Sequence, residues 1–254
     1  MLEARSLTKR YSSIAAVNDV SFSIARGQVL GYLGPNGSGK STTVKMITGL
    51  LEPTRGQILF DGVSIRADLV AYKRRLGYVP EEPNLYPHLT GLEYLDLIGC
   101  LRGLDNGAVA RKSKDLLELF SLTPARHSPI ASYSKGMRQR LLISAALLHN
   151  PDIMVFDEPL SGLDVTTAMV FRKLVQTLAA EGKIILYSSH VLEVVEKVCS
   201  HVLVLHKGNV VGHSSIQEIH ALASKPSLEQ VFAELTQQTD TDVTARGIVD
   251  VMKA

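Results

Sequence analysis

Long apolar runs are missing from this chain of 254 residues. A membrane-spanning helix needs roughly 18 consecutive apolar residues, and the longest candidate, Leu141 to Pro151, is about half that and carries His149 and Asn150. The opening Met1-Leu2-Glu3-Ala4-Arg5 begins no apolar signal segment, so the chain reads as soluble. Cysteine is scarce. Cys100 and Cys199 are the only two, with no metal-ligand spacing and no disulfide framework, which suits a reducing cytosol. An excess of one charge is also absent: 27 lysines and arginines face 25 acids, for a formal net charge of +2. That excludes nucleic-acid binding through bulk electrostatics, though not through a local patch. There is no internal repeat and no low-complexity tract. What remains, 45% apolar residues over this length, is enough for one globular domain with a smaller lobe.

Several short apolar runs read as buried strands: Gln28 to Leu33, Gln57 to Phe60, Ile153 to Phe156, Lys183 to Tyr187 and His201 to Leu205. Helix-like patterns follow several of them, which points to an α/β sheet with helices on its faces. The stretch from Pro87 to Asn150 differs. Thr90-Gly91-Leu92-Glu93 has capping-box spacing, and Leu92, Leu95, Ile98 and Leu101 follow at helical intervals. Leu116 to Phe120 marks a second helix and Arg138 to Leu148 a third, so a helical lobe interrupts the α/β core. Lys207-Gly208-Asn209 reads as a hairpin turn. The tail from Thr236 is polar, ends in a weak helical pattern and holds no recognisable chemistry.

Gly34-Pro35-Asn36-Gly37-Ser38-Gly39-Lys40-Ser41 satisfies G-x-x-x-x-G-K-[ST] between a strand and the helix-like Thr42 to Thr48. The glycines let backbone N–H groups surround phosphates, and the helix N-terminus adds partial positive charge. Lys40 is expected to reach the β- and γ-phosphates, and the Ser41 hydroxyl to ligate Mg²⁺. Such a loop binds a nucleoside triphosphate but serves kinases and GTPases as well as ATPases, so it leaves the reaction open. The second acidic element narrows it. Ile153 to Phe156 delivers Asp157 and Glu158 at a strand's C-terminal end, where open α/β sheets place ligands. Asp157 is placed for the Mg²⁺ shell, and Glu158 for orienting and deprotonating a water beside the γ-phosphate.

Tyr133-Ser134-Lys135-Gly136-Met137-Arg138-Gln139-Arg140 resembles the signature motif of ABC transporter ATPases. Its usual core is L-S-G-G-Q: Ser134 and Gly136 keep it, while Tyr133, Lys135 and Met137 depart from it. Ser134 can cap a helix whose N-terminus presents anion-binding donors. The resemblance implies that Ser134 and Gly136 close over the γ-phosphate held by an opposite subunit. Other family marks follow in order. Ser161-Gly162-Leu163-Asp164 looks like the D-loop of the dimer interface. Ser188-Ser189-His190 resembles the switch histidine, which implies that His190 contacts the γ-phosphate and holds Glu158. Tyr11 matches the aromatic that stacks on adenine, with a buried strand tyrosine as the plainer reading. Gly77-Tyr78-Val79-Pro80-Glu81-Glu82 occupies the Q-loop with Glu81 where glutamine is usual. Glu81 still offers an oxygen to Mg²⁺, with added negative charge.

The resemblance implies an α/β P-loop NTPase core of ABC ATPase type, an inserted helical subdomain and an antiparallel β portion at the N-terminus. The ATPase domain is expected over residues 1–235, with its core at about 1–86 and 151–235, the helical subdomain at about 87–150 and a tail at 236–254. The Val-Pro-Glu form, Ser-Lys-Gly-Met-Arg-Gln-Arg and Ser227-Leu228-Glu229-Gln230-Val231-Phe232 look like the ATPase subunits of drug, antibiotic, polysaccharide or ion exporters. The expected cofactors are ATP and Mg²⁺. The expected partners are a second copy of the chain and separate transmembrane permease subunits, with no nucleic acid. Contact with the membrane runs through the permease alone, at its cytoplasmic face. Pro83-Asn84-Leu85-Tyr86-Pro87 is the candidate docking surface, unless Leu85 and Tyr86 simply pack the lobe. The alternatives are a soluble ABC-type ATPase acting on nucleic acid or the ribosome, a P-loop phosphotransferase and a non-hydrolysing regulatory subunit.

Overall fold

The computed structural model describes residues 1–222 and Phe232; the tail from Thr236 and residues 227–231 of the exporter-like Ser227–Phe232 segment lie outside the described residues. Two sheets organise the chain. The N-terminal one is antiparallel, in the order β2-β1-β4-β5, from Leu2–Tyr11 (β1), Ile14–Ile24 (β2), Arg55–Phe60 (β4) and Val63–Ser64 (β5). The second comprises β3 (Val29–Leu33), β6 (Leu76–Val79), β7 (Ile153–Asp157), β8 (Ile184–Ser188), β9 (His201–His206) and β10 (Asn209–Ser215), in the order β10-β9-β3-β8-β7-β6. Five of its strands are parallel and β10 is an antiparallel edge. Lys207 and Gly208, both with left-handed backbone (φ 46° and 79°), make the two-residue turn between β9 and β10.

The parallel strands read as nearly continuous apolar runs because both of their faces are covered. Alternate residues go to opposite cores. Leu30, Tyr32, Ile153, Val155, Ile184 and Leu186 pack towards the antiparallel sheet, α1 (Lys40–Ile47) and α2 (Leu69–Arg74). Val29, Leu33, Met154, Phe156, Ile185 and Tyr187 pack towards α5 (Lys135–Leu147), α6 (Val165–Ala180) and α7 (Leu192–Val198). The result is a sheet sandwiched between an antiparallel β layer and a helical layer.

Between β6 and β7 the chain is helical, with α3 (Gly91–Leu101) and α4 (Asn106–Leu119) preceding α5. Thr90 accepts from the Glu93 backbone N–H and Glu93 reaches back to the Thr90 N–H, so the capping box forms as its spacing requires. Asp105 caps α4 and Ser134 caps α5. The strand before Glu81 is not among the apolar runs read from the sequence, yet Leu76–Val79 pairs in parallel with Ile153–Phe156, and α5 begins at Lys135 rather than at Arg138. Among the described residues no helix is long and apolar enough to cross a membrane.

Candidate nucleotide-binding site

Strand order brings the chemistry together. β3, β8 and β7 are neighbours and parallel, with Tyr32 opposite Ser188 and Ser188 opposite Asp157. Their C-terminal ends therefore deliver the Gly34–Lys40 loop, Ser189-His190 and Asp157-Glu158 to one edge. β6 ends beside Phe156 and sends Glu81 to the same place. These segments surround a cavity of about 560 Å³ lined by Pro35, Asn36, Gly37, Gly39, Lys40, Ser41, Thr42, Glu81, Asp157, Glu158 and His190, together with Ala16 and Phe232.

The loop's conformation is fixed by what glycine permits. Gly39 has φ 106°, and a Cβ there would lie 2.3 Å from the Ala16 carbonyl oxygen. No larger residue fits between the β1–β2 hairpin and the helix start. Ser38 is buried and turns its backbone carbonyl to the Gly208 N–H at 2.9 Å, while Gly34 is buried at the end of β3. Lys40 Nζ donates to the carbonyl oxygens of Gly34 and Pro35, the latter at 3.2 Å. Burial lowers its pKa, opposed by the carboxylates of Glu158, Asp157 and Glu81. A half-buried ammonium resting on carbonyl dipoles, with carboxylates in reach but not bonded, is suited to an incoming polyanion.

Asp157 is buried and its pKa is raised, first by burial and further by Glu81 and Glu158, with Lys40 opposing. Glu158 has left-handed backbone (φ 47°), a strained state for a non-glycine residue that the surrounding structure must hold in place. Its backbone N–H donates to the Ser188 carbonyl at 3.0 Å. Its carboxylate accepts three bonds from one short segment. The His190 backbone N–H donates to Oε1 at 2.8 Å, His190 Nδ1 lies 2.7 Å from the same oxygen, and Ser189 Oγ donates to Oε2 at 3.1 Å.

Three carboxylates and one cation in a single cleft leave negative charge that suits a divalent ion. Among the described residues no group of three or more His, Cys, Asp or Glu side chains is arranged to hold a metal unaided. Mg²⁺ keeps waters and shares phosphate oxygens rather than occupying an all-protein cage, so one or two of these carboxylates would suffice to hold it.

Gly34 and Ser38 are buried and do not line this cavity, and three further sequence candidates stand outside it. Tyr11 ends β1 at 49% exposure, with Lys9 Nζ 5.6 Å from its ring centroid, and the cavity wall on that side is formed by Ala16. Ser134 and Gly136 sit at the start of α5, where Ser134 Oγ accepts from the Met137 N–H at 3.2 Å. Sequence reasoning missed two wall residues. Ala16 has no chemical handle to mark it. Phe232 belongs to the exporter-like Ser227–Phe232 segment, but nothing in that motif pointed it at the loop.

A phosphate loop, an acidic strand end and a histidine-held carboxylate on one edge of a mostly parallel sheet define a nucleoside-triphosphate-binding cassette. A family model described as "ABC transporter" matches residues 17–161, and the chain belongs to that family of ATP-binding cassettes. It is 38% identical over 220 residues to the ABC transporter ATP-binding protein NatA of Bacillus subtilis, covering 86% of this chain and 89% of that one. It is 34% identical over 219 residues to the Nod factor export ATP-binding protein I of Ralstonia nicotianae, covering 86% and 68%. A solved ATP-binding subunit of an ABC transporter superposes with a TM-score of 0.87 at 34% identity, covering 92% of this chain and 99% of that one. The dimeric post-hydrolysis state of the ATP-binding cassette MJ0796, bound to ADP and Pi, superposes with a TM-score of 0.79 at 26% identity, covering 85% and 99%.

Proposed function

We propose that this chain is the ATP-hydrolysing subunit of an ABC exporter, working as a dimer beneath separate transmembrane permease subunits. The observation that carries the reading is the Glu158–His190 pair beside Lys40. A carboxylate at the edge of a triphosphate cavity, oriented by three bonds, is placed to accept a proton from an attacking water. Gly34, Pro35, Asn36, Gly37, Ser38, Gly39 and Thr42 supply the backbone that wraps the phosphates, and Lys40 neutralises them. Ser41, Asp157 and Glu81 are the residues that hold Mg²⁺, which screens phosphate charge when bound. His190 keeps Glu158 aimed at the water and stands exposed at the cavity mouth.

Ser134 and Gly136 lie away from the chain's own cavity, which supports their service to the nucleotide of a second copy. One chain carries each half of the composite site once, so two copies make two sites. Tyr11, exposed at the end of β1 on the hairpin whose Ala16 lines the cavity, is the aromatic offered to adenine. The export direction rests on likeness to exporter ATPases such as the Nod factor protein.

Permease docking is supported by a groove of about 420 Å³ between the core and the helical insertion. Leu50, Val70 and Leu101 line it and are exposed, and Lys73, Arg74 and Arg102 rim it, with no carboxylate among the described residues that line it. A short partner helix with apolar residues and an acid matches that lining. Leu85, by contrast, packs into the helical core, and Tyr86, 61% exposed, lies 6.4 Å from Tyr94 ring to ring.

The test is to express tagged Glu158→Gln, add ATP and Mg²⁺, solubilise native membranes gently and identify what co-purifies. A multi-span membrane protein at equal stoichiometry is the expected result. Recovery with ribosomes or nucleic acid and no membrane protein would overturn the transporter reading.

A further inference from the structure

Lys135 stands where the signature pattern usually has glycine, and the structure gives it a partner. Its Nζ donates to Ser161 Oγ at 2.7 Å, joining the turn before α5 to the loop that follows β7. The two segments are in close backbone contact as well. A Cβ on Gly136 would lie 2.6 Å from the Gly162 carbonyl oxygen, and one on Gly162 (φ 79°) would lie 2.8 Å from Lys135 Cγ. The lysine stem thus covers Gly162 while its ammonium holds Ser161. Behind this contact, Gln139 Nε2 on α5 donates to the Pro159 carbonyl at 3.0 Å, and the Ser161 N–H donates to the Glu158 carbonyl at 3.1 Å. A short bonded path therefore runs from Glu158 through Ser161 to Lys135 and the capped Ser134 turn.

We propose that Lys135 is a positioning residue that locks the Ser134–Gly136 turn to the Ser161–Gly162 loop. The turn offered to a second copy's nucleotide then moves as one body with the strand end that carries the chain's own Glu158. The proposal rests on the two-copy reading above. A glycine at this position would keep the close backbone approach but lose both the stem over Gly162 and the bond to Ser161. ATP held by one copy would thereby report on the geometry of Glu158 in the other.

The test uses the whole chain with Lys135→Met, which keeps the stem, Ser161→Ala, the two combined, and Lys135→Arg. Steady-state ATP hydrolysis is measured for each, and nucleotide affinity and ATP-driven dimerisation are measured in the Glu158→Gln background. Lys135→Met and Ser161→Ala should each lower kcat about fivefold, the scale of one lost hydrogen bond that water partly replaces. Monomer affinity for ATP should stay unchanged. The double variant should fall no further than the worse single, because both remove one interaction. Lys135→Arg should restore kcat to within about twofold. A merely structural lysine would lower stability without this split and without rescue. If Glu158→Gln dimerises with ATP while Lys135→Met matches the unsubstituted chain in kcat and dimerisation, the tie fails alone. The same follows if the double variant falls about 25-fold, as independent effects would. If Glu158→Gln stays monomeric with ATP, the two-copy reading fails and takes this proposal with it.

Discussion

Glu158 illustrates how much a single side chain depends on its neighbours. Its carboxylate takes all three of its bonds from Ser189 and His190, so a glutamine there keeps the shape and most contacts while losing the ability to take a proton. Glu158→Gln should cut turnover about 10²–10⁴-fold, the usual scale of a general base, with ATP binding retained. Single-turnover hydrolysis beside equilibrium nucleotide binding checks both halves, and unchanged hydrolysis would remove Glu158 from the role. Lys40→Ala should do the reverse and weaken ATP binding about 10–100-fold, the value of a charge-assisted contact, with the thermal midpoint little changed. Full affinity in a titration would contradict its assignment. Lys40, Asp157, Glu158 and His190 were legible in the sequence because each follows a buried apolar strand at a fixed step. Ala16 was not, since it acts through a backbone carbonyl that excludes any Cβ at Gly39. Tyr11 stands out in the sequence as an aromatic ahead of the loop, and it ends β1 exposed without lining the cavity.

At the scale of elements, the parallel strands were the readable ones. β3, β7 and β8 are buried on both faces, and their apolar runs say so. β1 and β2 gave no such signal. They are half-exposed, and register shifts between Ala4 and Leu7 and between Lys9 and Arg10 break the alternation that would mark them. Helix α5 began three residues before the apolar pattern because Ser134, rather than a hydrophobic residue, sets its start. Its far end carries a less visible feature. His149, just beyond α5, holds its Nε2 3.0 Å from the Leu76 carbonyl oxygen on β6. Burial first, then the positive charges of Arg102, Lys112 and Lys183, depress its pKa to about 4 from 6.5. The unfolded chain therefore binds a proton between those values that the folded chain refuses, and stability falls as pH drops from 6.5 towards 4. Partial solvent access at the ring limits the loss to about 1–2 kcal/mol. Urea midpoints at pH 7 and pH 5 should differ by that amount, and His149→Gln should remove this part of the difference. An unaltered pH dependence in the variant would show that other groups carry it.

For the whole molecule, the layers decide what each surface is free to do. The nucleotide edge lies at the C-terminal ends of β3, β7 and β8, while the groove beyond α1 and α2 faces the helical insertion, so the two can be occupied together. Arg102 Nη1 donates to the Lys73 carbonyl oxygen across that groove, so the end of α3 of the insertion is bonded to α2 of the core at the proposed docking surface. A partner seated there would sense any shift of the insertion relative to the core, and under the proposed function ATP-driven closure at the other edge would be the source of such a shift. Leu101 tests this separation because it lines the groove at 71% exposure and touches no part of the nucleotide cavity. Leu101→Asp places a charge on the apolar wall and adds an acid where an acidic partner is expected. Its cost to folding should be within about 0.5 kcal/mol, as for most surface changes, so the thermal midpoint should move by no more than about 2 °C. ATP binding should be unchanged, and recovery of the membrane partner in the Glu158→Gln capture should fall at least about tenfold, the effect of 1.4 kcal/mol lost at an interface. Undiminished recovery would move the docking surface elsewhere, with the exposed Tyr86 the next position to charge. Loss of recovery together with loss of ATP binding would mean that groove and cavity are not separate surfaces.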